Sequence, residues 1–366
     1  MKSVVIVGGG KIGSMIAEML AGCGDYAVTV ADASAAALDR LETSVPVAKA
    51  LIDISDEAAL TRLLAGQFAV LSAAPFHLTV AIARAAKAAG AHYLDLTEDV
   101  ASTRAVKALA EGAATAFIPQ CGLAPGFITV AAYDLAQRFD DLQDVRMGVG
   151  ALPKFPSNAL NYNLTWSTDG LINEYCEPCE AIIAGQARTT QPLEDCEEFA
   201  LDGVIYEAFN TSGGLGTLCE TLAGKVKNLS YRTIRYPGHA AFMKALLNDL
   251  RLRERRDVLK DILENALPAT LQDVVIVYVS VSGQRGGRLM QETYAQKIYS
   301  GVIGGRMRSA IQITTASGIC AVLDLLADGK LPAAGFVRQE DVALADFLAN
   351  RFGRHYAPGN DLEAAA

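Results

Sequence analysis

Basic side chains are the minority: 32 Lys and Arg face 41 Asp and Glu, a formal net charge of -9. Binding to a phosphate backbone needs clustered Lys and Arg, so a nucleic-acid partner is not expected. The one basic cluster, Arg251, Arg253, Arg255 and Arg256, encloses Glu254 and reads as a solvated helix face. Long apolar runs are also missing. None reaches the roughly 20 residues that span a bilayer, and no membrane partner is expected. Met1 and Lys2 precede a strand-like segment soon cut by glycine, which is not the pattern of a secretory signal. Cysteine is sparse and odd in number, seven in 366 residues. That argues for reduced thiols in a cytoplasmic protein and against a disulfide framework. Cys176 and Cys179 form a C-x-x-C with no second ligand pair at zinc spacing, so no metal site is expected.

What is present begins at residue 3. Ser3 to Val7 is short, uncharged and β-branched, as a buried strand is. Gly8, Gly10 and Gly13 follow as G-x-G-x-x-G, and Ile12, Ile16, Met19 and Leu20 then repeat at helical spacing. Strand, glycine turn and helix form the context in which this motif binds a dinucleotide. Gly8 allows the tight turn, Gly10 lets the backbone approach a pyrophosphate, and Gly13 lets helix and strand pack closely. Lys11 and Ile12 lie at the start of the helix, whose free N–H groups face the anion. A second strand, Tyr26 to Ala31, ends at Asp32, 19 positions beyond Gly13. A carboxylate there accepts from both ribose hydroxyls and repels a 2′-phosphate. NAD is therefore the expected cofactor, with NADP possible because Ser34 and Arg40 soften the preference.

Strand-like and helix-like segments alternate up to Pro119, which predicts a doubly wound parallel sheet. The strands are expected at 47–51, 69–73, 92–96 and 116–119, and the helices at 56–64, 79–90 and 103–111. Ligands of such sheets lie beyond the carboxyl ends of the strands. Three segments are placed there: Ser72 to His77 with Ala74 and Pro75, Asp95 to Asp99, and Gln120 to Gly126 with Cys121 and Gly122. The first domain is expected over 1–125.

Beyond it, a helix is expected over 127–139 and a strand over 144–151. Val274 to Val281 alternates and is answered by Leu289 to Tyr299 across a glycine-rich turn, an antiparallel hairpin and a plausible dimer surface. The stretch 126–315 therefore reads as a second, α+β domain on a mainly antiparallel sheet. Helices at about 316–327 and 340–351 are expected to return to the first domain. The overall fold class is α/β.

Polar residues concentrate in the second domain. Asn163 to Tyr175 holds the sole Trp, Trp166, beside Ser167, Thr168 and Asp169, which suit a helix cap. Leu229 to His239 places Tyr231, Thr233 and Arg235 on one side of a strand, with Arg232 nearby and His239 after Pro237-Gly238. Arginine suits a substrate carboxylate, since its forked donors bind it bidentately. His77 and His92 lie near strand ends and read as structural.

Taken together, VVIVGGGKIG, YLDLTED, QCGLAPGF, WSTDGLINEY and KNLSYRTIRYPGH resemble the saccharopine dehydrogenase-like family, and within it the lysine 6-dehydrogenases, over nearly the whole chain. The resemblance implies a Rossmann domain, an α+β substrate domain and a small amino-acid substrate. It also implies NAD-dependent oxidation of the side-chain amine of L-lysine to the 6-semialdehyde, with ammonia released. Gly122 to Gly126 would pass beside the nicotinamide. Arg235 or Arg232 would hold the α-carboxylate, with Trp166, Thr168, Asp169 and His239 lining the other side. Hydride leaves most easily from a neutral amine, so a proton acceptor is needed, and His239 and Asp95 are the candidates. Saccharopine or a carboxyspermidine-type secondary amine is the alternative substrate. A dinucleotide-sensing regulatory module is a further reading, and a homo-oligomer, as a dimer, is expected.

Overall fold

The computed structural model describes residues 1–358. These form two units, one of Met1–Phe127 with Val302–Arg306 and residues 312–358, the other of Ile128–Gly301 with Met307–Ile311.

In the first unit, strands β1 (Lys2–Val7), β2 (Tyr26–Asp32), β3 (Ala48–Leu51), β4 (Ala69–Ser72), β5 (His92–Asp95) and β6 (Ala116–Ile118) alternate with helices α1 (Lys11–Gly22), α2 (Ala35–Asp39), α3 (Glu57–Leu64), α4 (Thr79–Ala89) and α5 (Val100–Ala110). The strands pair in parallel in the order β6-β5-β4-β1-β2-β3, and the short strand Gly335–Phe336 adds to β6. Val4 to Val7, Ala69 to Leu71 and Phe117 are completely buried, as expected where helices cover both sheet faces. Three helices start at an acceptor side chain: Ser34 caps α2, Asp56 caps α3 and Asp99 caps α5. The Asp99 cap starts α5 at Val100 rather than at Thr103.

The second unit contains α6 (Phe127–Ala136), β7 (Asp141–Pro153), α7 (Thr168–Cys176), β8 (Cys179–Ile183), β9 (Gln186–Thr190), β10 (Glu197–Leu201), β11 (Val204–Asn210), α8 (Leu218–Thr221), β12 (Val226–Arg235), α9 (His239–Lys244), α10 (Arg256–Ala266), β13 (Asp273–Arg285) and β14 (Arg288–Tyr299). Its main sheet runs β10-β11-β12-β7-β13-β14. The pair β12–β7 is parallel, while β13–β14, β13–β7 and β11–β12 are antiparallel, so the sheet is mixed. One apolar cluster joins Leu171, Ile172 and Tyr175 of α7 to Ala240 and Met243 of α9 and Leu259 and Leu263 of α10.

Helix α11 (Ala310–Ala327) begins six residues before the expected start at 316. Its first N–H groups, on Ala310 and Ile311, donate to the buried carboxylate of Asp273 at the start of β13. Its apolar composition would suit a membrane span by length, and 89% of it is buried in the fold. Helix α12 (Leu344–Ala349) follows. It is shorter than the expected 340–351 segment, which begins with a separate turn at Gln339–Asp341.

Candidate active site

The glycine turn is built as the motif requires. Gly8 has φ +105°, and a Cβ there would lie 2.7 Å from the Ala73 carbonyl oxygen. At Gly13 a Cβ would fall 1.8 Å from the Gly8 carbonyl oxygen, so only glycine lets α1 approach β1. Gly10 differs: its φ of -73° suits any residue, and a Cβ there would meet nothing within 4 Å. The space above Gly10 is open, and no side chain caps α1. Free N–H groups at a helix start with open space before them suit a pyrophosphate.

Asp32 ends β2 with its oxygens oriented by the backbone. Gly9 N–H donates to Oδ2 at 2.7 Å and Ser34 N–H to Oδ1 at 2.7 Å. The carboxylate is half-buried and thereby tied to the glycine turn, leaving lone pairs for ribose hydroxyls. Lys11 is exposed and Ile12 half-buried at the first turn of α1. Ala74 is half-buried and Pro75 exposed beyond β4. Gly122 lies in a tight loop closed by Phe127 N–H donating to its carbonyl. Gly318 of α11 abuts the carbonyls of Cys121 and Gly122, where a Cβ would approach to 2.6 and 2.8 Å. The Cys121 side chain is fully buried, with its Sγ directed at the Ile118 carbonyl, so only its backbone remains for a cofactor.

Asp95, expected as a proton acceptor, is fully engaged. Tyr93 O–H donates to Oδ2, and the N–H groups of Thr97 and Gln120 donate to Oδ1. Burial pushes its carboxyl up to about 6, against three hydrogen bonds that favour the ionised form. Asp95 therefore ties β5 to the segment after β6. Three residues on, Glu98 is half-buried. Burial, with Asp99 and Asp95 close by, pushes its carboxyl up to about 7.

In the second unit, Tyr231, Thr233 and Arg235 share one face of β12, as the alternation requires. Arg235 is 3% exposed, and its Nε donates to the Tyr175 hydroxyl at 3.0 Å. Its Nη1 donates to the Ile234 carbonyl, and its Nη2 lies 3.6 Å from Glu174. The guanidinium lies over the ring of Tyr162, 5.2 Å from the centroid. Tyr175 in turn meets His239 Nε2 at 3.1 Å, and His239 Nδ1 meets the Leu160 carbonyl at 2.8 Å. Burial, together with the Arg235 charge, lowers the imidazole to about 3. The ring is neutral at ordinary pH, with Nδ1–H donating to Leu160 and Nε2 accepting from Tyr175. The donors then run one way, from Arg235 through Tyr175 and His239 to a carbonyl. A ring so committed resists protonation.

Two further expected contacts separate from this cluster. Arg232 lies on the opposite face of β12, where it pairs with Glu197. Asp169 is exposed and pairs with Lys260 at 2.6 Å, while Ser167 caps α7. Thr168 is buried in the first turn of α7, and Trp166 packs against the apolar cluster there. Glu174 and Tyr175 were not singled out from the sequence. Their signal was helical: Leu171, Ile172 and Tyr175 share the buried side of α7. Glu207, also missed, accepts from the N–H groups of Gly238 and Ala240 and anchors the start of α9. Among the described residues no three His, Cys, Asp or Glu side chains converge as a metal site.

Residues 4–117 match the saccharopine dehydrogenase NADP binding domain, and residues 122–353 match the saccharopine dehydrogenase C-terminal domain. Among solved structures, the apo saccharopine dehydrogenase (L-Glu forming) of Saccharomyces cerevisiae has a TM-score of 0.77 at 17% identity, covering 97% of this chain and 96% of that one. An engineered D-amino acid dehydrogenase bound to NADP+ has a TM-score of 0.49 at 14% identity, covering 98% of this chain and 97% of that one. With the two family models together spanning almost the whole chain, the protein belongs to the saccharopine dehydrogenase family and is an NAD(P)-dependent oxidoreductase acting on amino groups.

Proposed function

We propose that the chain oxidises the side-chain amine of L-lysine with NAD, giving the 6-semialdehyde and ammonia. The observation that carries this reading is Arg235. Of the two arginines at the end of β12, it alone shares a face with Tyr231 and Thr233, and Arg232 is turned away to Glu197. One buried guanidinium matches one α-carboxylate. Saccharopine has more carboxylates to satisfy than lysine has. Glu174, 3.6 Å from Arg235, would face the α-ammonium beside it.

Asp32 supports NAD over NADP, because a second anion beside its carboxylate is disfavoured. Gly8 to Gly13 and Asp32 would hold the dinucleotide, which supplies a hydride acceptor when bound. The chain's own task is to orient the amino acid by its carboxylate, shield the reacting carbon and take up a proton. The name of the family models favours a second reading, the secondary amine saccharopine as substrate, with a carboxyspermidine-type compound as its variant. A coupled assay separates them: purified protein with NAD and lysine, then with saccharopine, followed by absorbance of the reduced dinucleotide. Turnover with lysine is expected. Turnover with saccharopine alone would overturn the reading. We also propose a homodimer through the 274–299 hairpin, whose outer strand β14 pairs, among the described residues, with β13 alone.

A further inference from the structure

We propose that the face of the second sheet opposite Arg235 holds a binding site for a small α-amino acid with an aromatic side chain. The site lies wholly within the second unit and is separate from the amine oxidation proposed above.

Strand register builds its floor. Residues of β12 alternate between faces, so Ser230, Arg232 and Ile234 look away from Tyr231, Thr233 and Arg235. Strands β7 and β13 continue that face in rows. Arg146 lies between Ser230 and Ser280, and in the next row Gly148 lies between Arg232 and Tyr278. Gly148 leaves the centre of its row without a side chain, and a cavity of about 360 Å³ lies over these rows. That volume is within the range of small-molecule sites. Arg146 is exposed, so the cavity is reached from solvent.

The charged groups around the cavity have capacity to spare. Among the described residues Arg146 has neither a hydrogen-bond nor an ion-pair partner. Arg232 is its diagonal neighbour on the adjacent strand. Its Nη1 pairs with Glu197, while its Nε is buried with no acceptor among the described residues. A buried donor left unpaired is costly, and an acceptor supplied by a ligand would relieve it. Glu197 is exposed and keeps lone pairs beyond its ion pair. Asp144, one row further from Gly148, is already engaged by Asn228 and Ser282.

This charge pattern selects the ligand. A bare carboxylate suits the two guanidiniums but is repelled by Glu197, and a bare amine meets the reverse. An α-amino acid carries both charges one carbon apart, and the Arg232–Glu197 pair presents their complements side by side. In the arrangement proposed, the carboxylate accepts from Arg146 and from Arg232 Nε, and the ammonium donates to Glu197. The side chain then lies against Phe199 and Tyr278, which line the same cavity with ring centroids 6.0 Å apart. Tilted rings at this spacing favour a further aromatic ring.

Isothermal titration calorimetry of the full chain tests the site with three probes: L-phenylalanine, 3-phenylpropionate, which lacks the ammonium, and phenethylamine, which lacks the carboxylate. L-Phenylalanine should bind with a Kd below about 1 mM, and each analogue at least about tenfold more weakly. Arg146→Gln and Glu197→Gln, both at exposed side chains, should melt within about two degrees of wild type. Each should weaken L-phenylalanine about tenfold or more. Arg235→Lys should bind it as tightly as wild type, because Arg235 is on the other face. No heat with L-phenylalanine up to about 10 mM would overturn the proposal. So would unchanged affinity in Arg146→Gln and Glu197→Gln, or loss of binding in Arg235→Lys. A fall in oligomer mass by light scattering in Arg146→Gln would also overturn it, by giving this face to a second copy of the chain.

Discussion

Gly10 and Gly13 stand three residues apart, yet adding a side chain should do different things at each. At Gly13 a Cβ falls 1.8 Å from the Gly8 carbonyl oxygen and 3.0 Å from its carbon, so helix α1 must retreat from β1. Overpacking a tight interior costs roughly 1–3 kcal/mol or more, and alanine's better helix propensity returns up to about 1 kcal/mol. Gly13→Ala should therefore lose on the order of 1–2 kcal/mol and melt a few degrees lower. At Gly10 the backbone suits any residue and the added side chain meets no protein atom. Gly10→Val should therefore melt within about a degree of wild type while displacing a pyrophosphate from the helix start. Losing two charge-assisted hydrogen bonds of roughly 1.5–3 kcal/mol each weakens NADH binding by about 100-fold to 10,000-fold. Thermal unfolding and NADH fluorescence titration on both variants give the four numbers. A Gly10→Val protein that binds NADH within threefold of wild type would refute the reasoning, because the open space would then hold nothing.

Asp32→Ala should narrow the ratio of kcat/KM with NAD to that with NADP by about tenfold or more, and an unmoved ratio would remove Asp32 from ribose recognition. Arg235→Lys keeps the charge but loses the fork, so KM for lysine should rise about tenfold or more with a smaller change in kcat; an unchanged KM would mean that the α-carboxylate binds elsewhere. His239 is held neutral, so its contribution to stability is complete above its ordinary pKa of 6.5 and is lost as pH falls toward about 3. The loss is about 1.4 kcal/mol per unit at most, and chemical denaturation from pH 7 to 4 should show it in wild type and a flatter profile in His239→Gln. Asp273 has the opposite sign: its carboxyl is raised to about 6, so its contribution falls as pH rises from about 4 to 6 and is level above that, a slope absent in Asp273→Asn.

The first unit was legible because its signals are local. A β-branched run, three glycines and an acidic residue at the end of the next strand each report a nearby contact, and residues 3–32 fold as those contacts dictate. Long-range contacts were harder to read. Helix α11 starts early because Asp273, 37 positions upstream of Ala310, supplies its cap from another strand. Arg232 and Arg235 are an odd number of residues apart, so a strand must point them to opposite faces, which the alternation alone could have shown. Nothing nearby in sequence shows that the Gln120 N–H will donate to Asp95.

The most direct measurement uses L-lysine carrying deuterium at Cε, incubated with NAD and the purified protein, with mass analysis of the reduced dinucleotide. Side-chain amine oxidation predicts one deuterium in the nicotinamide ring of every reduced molecule. Reduced dinucleotide without deuterium, or no reduction at all, would contradict it.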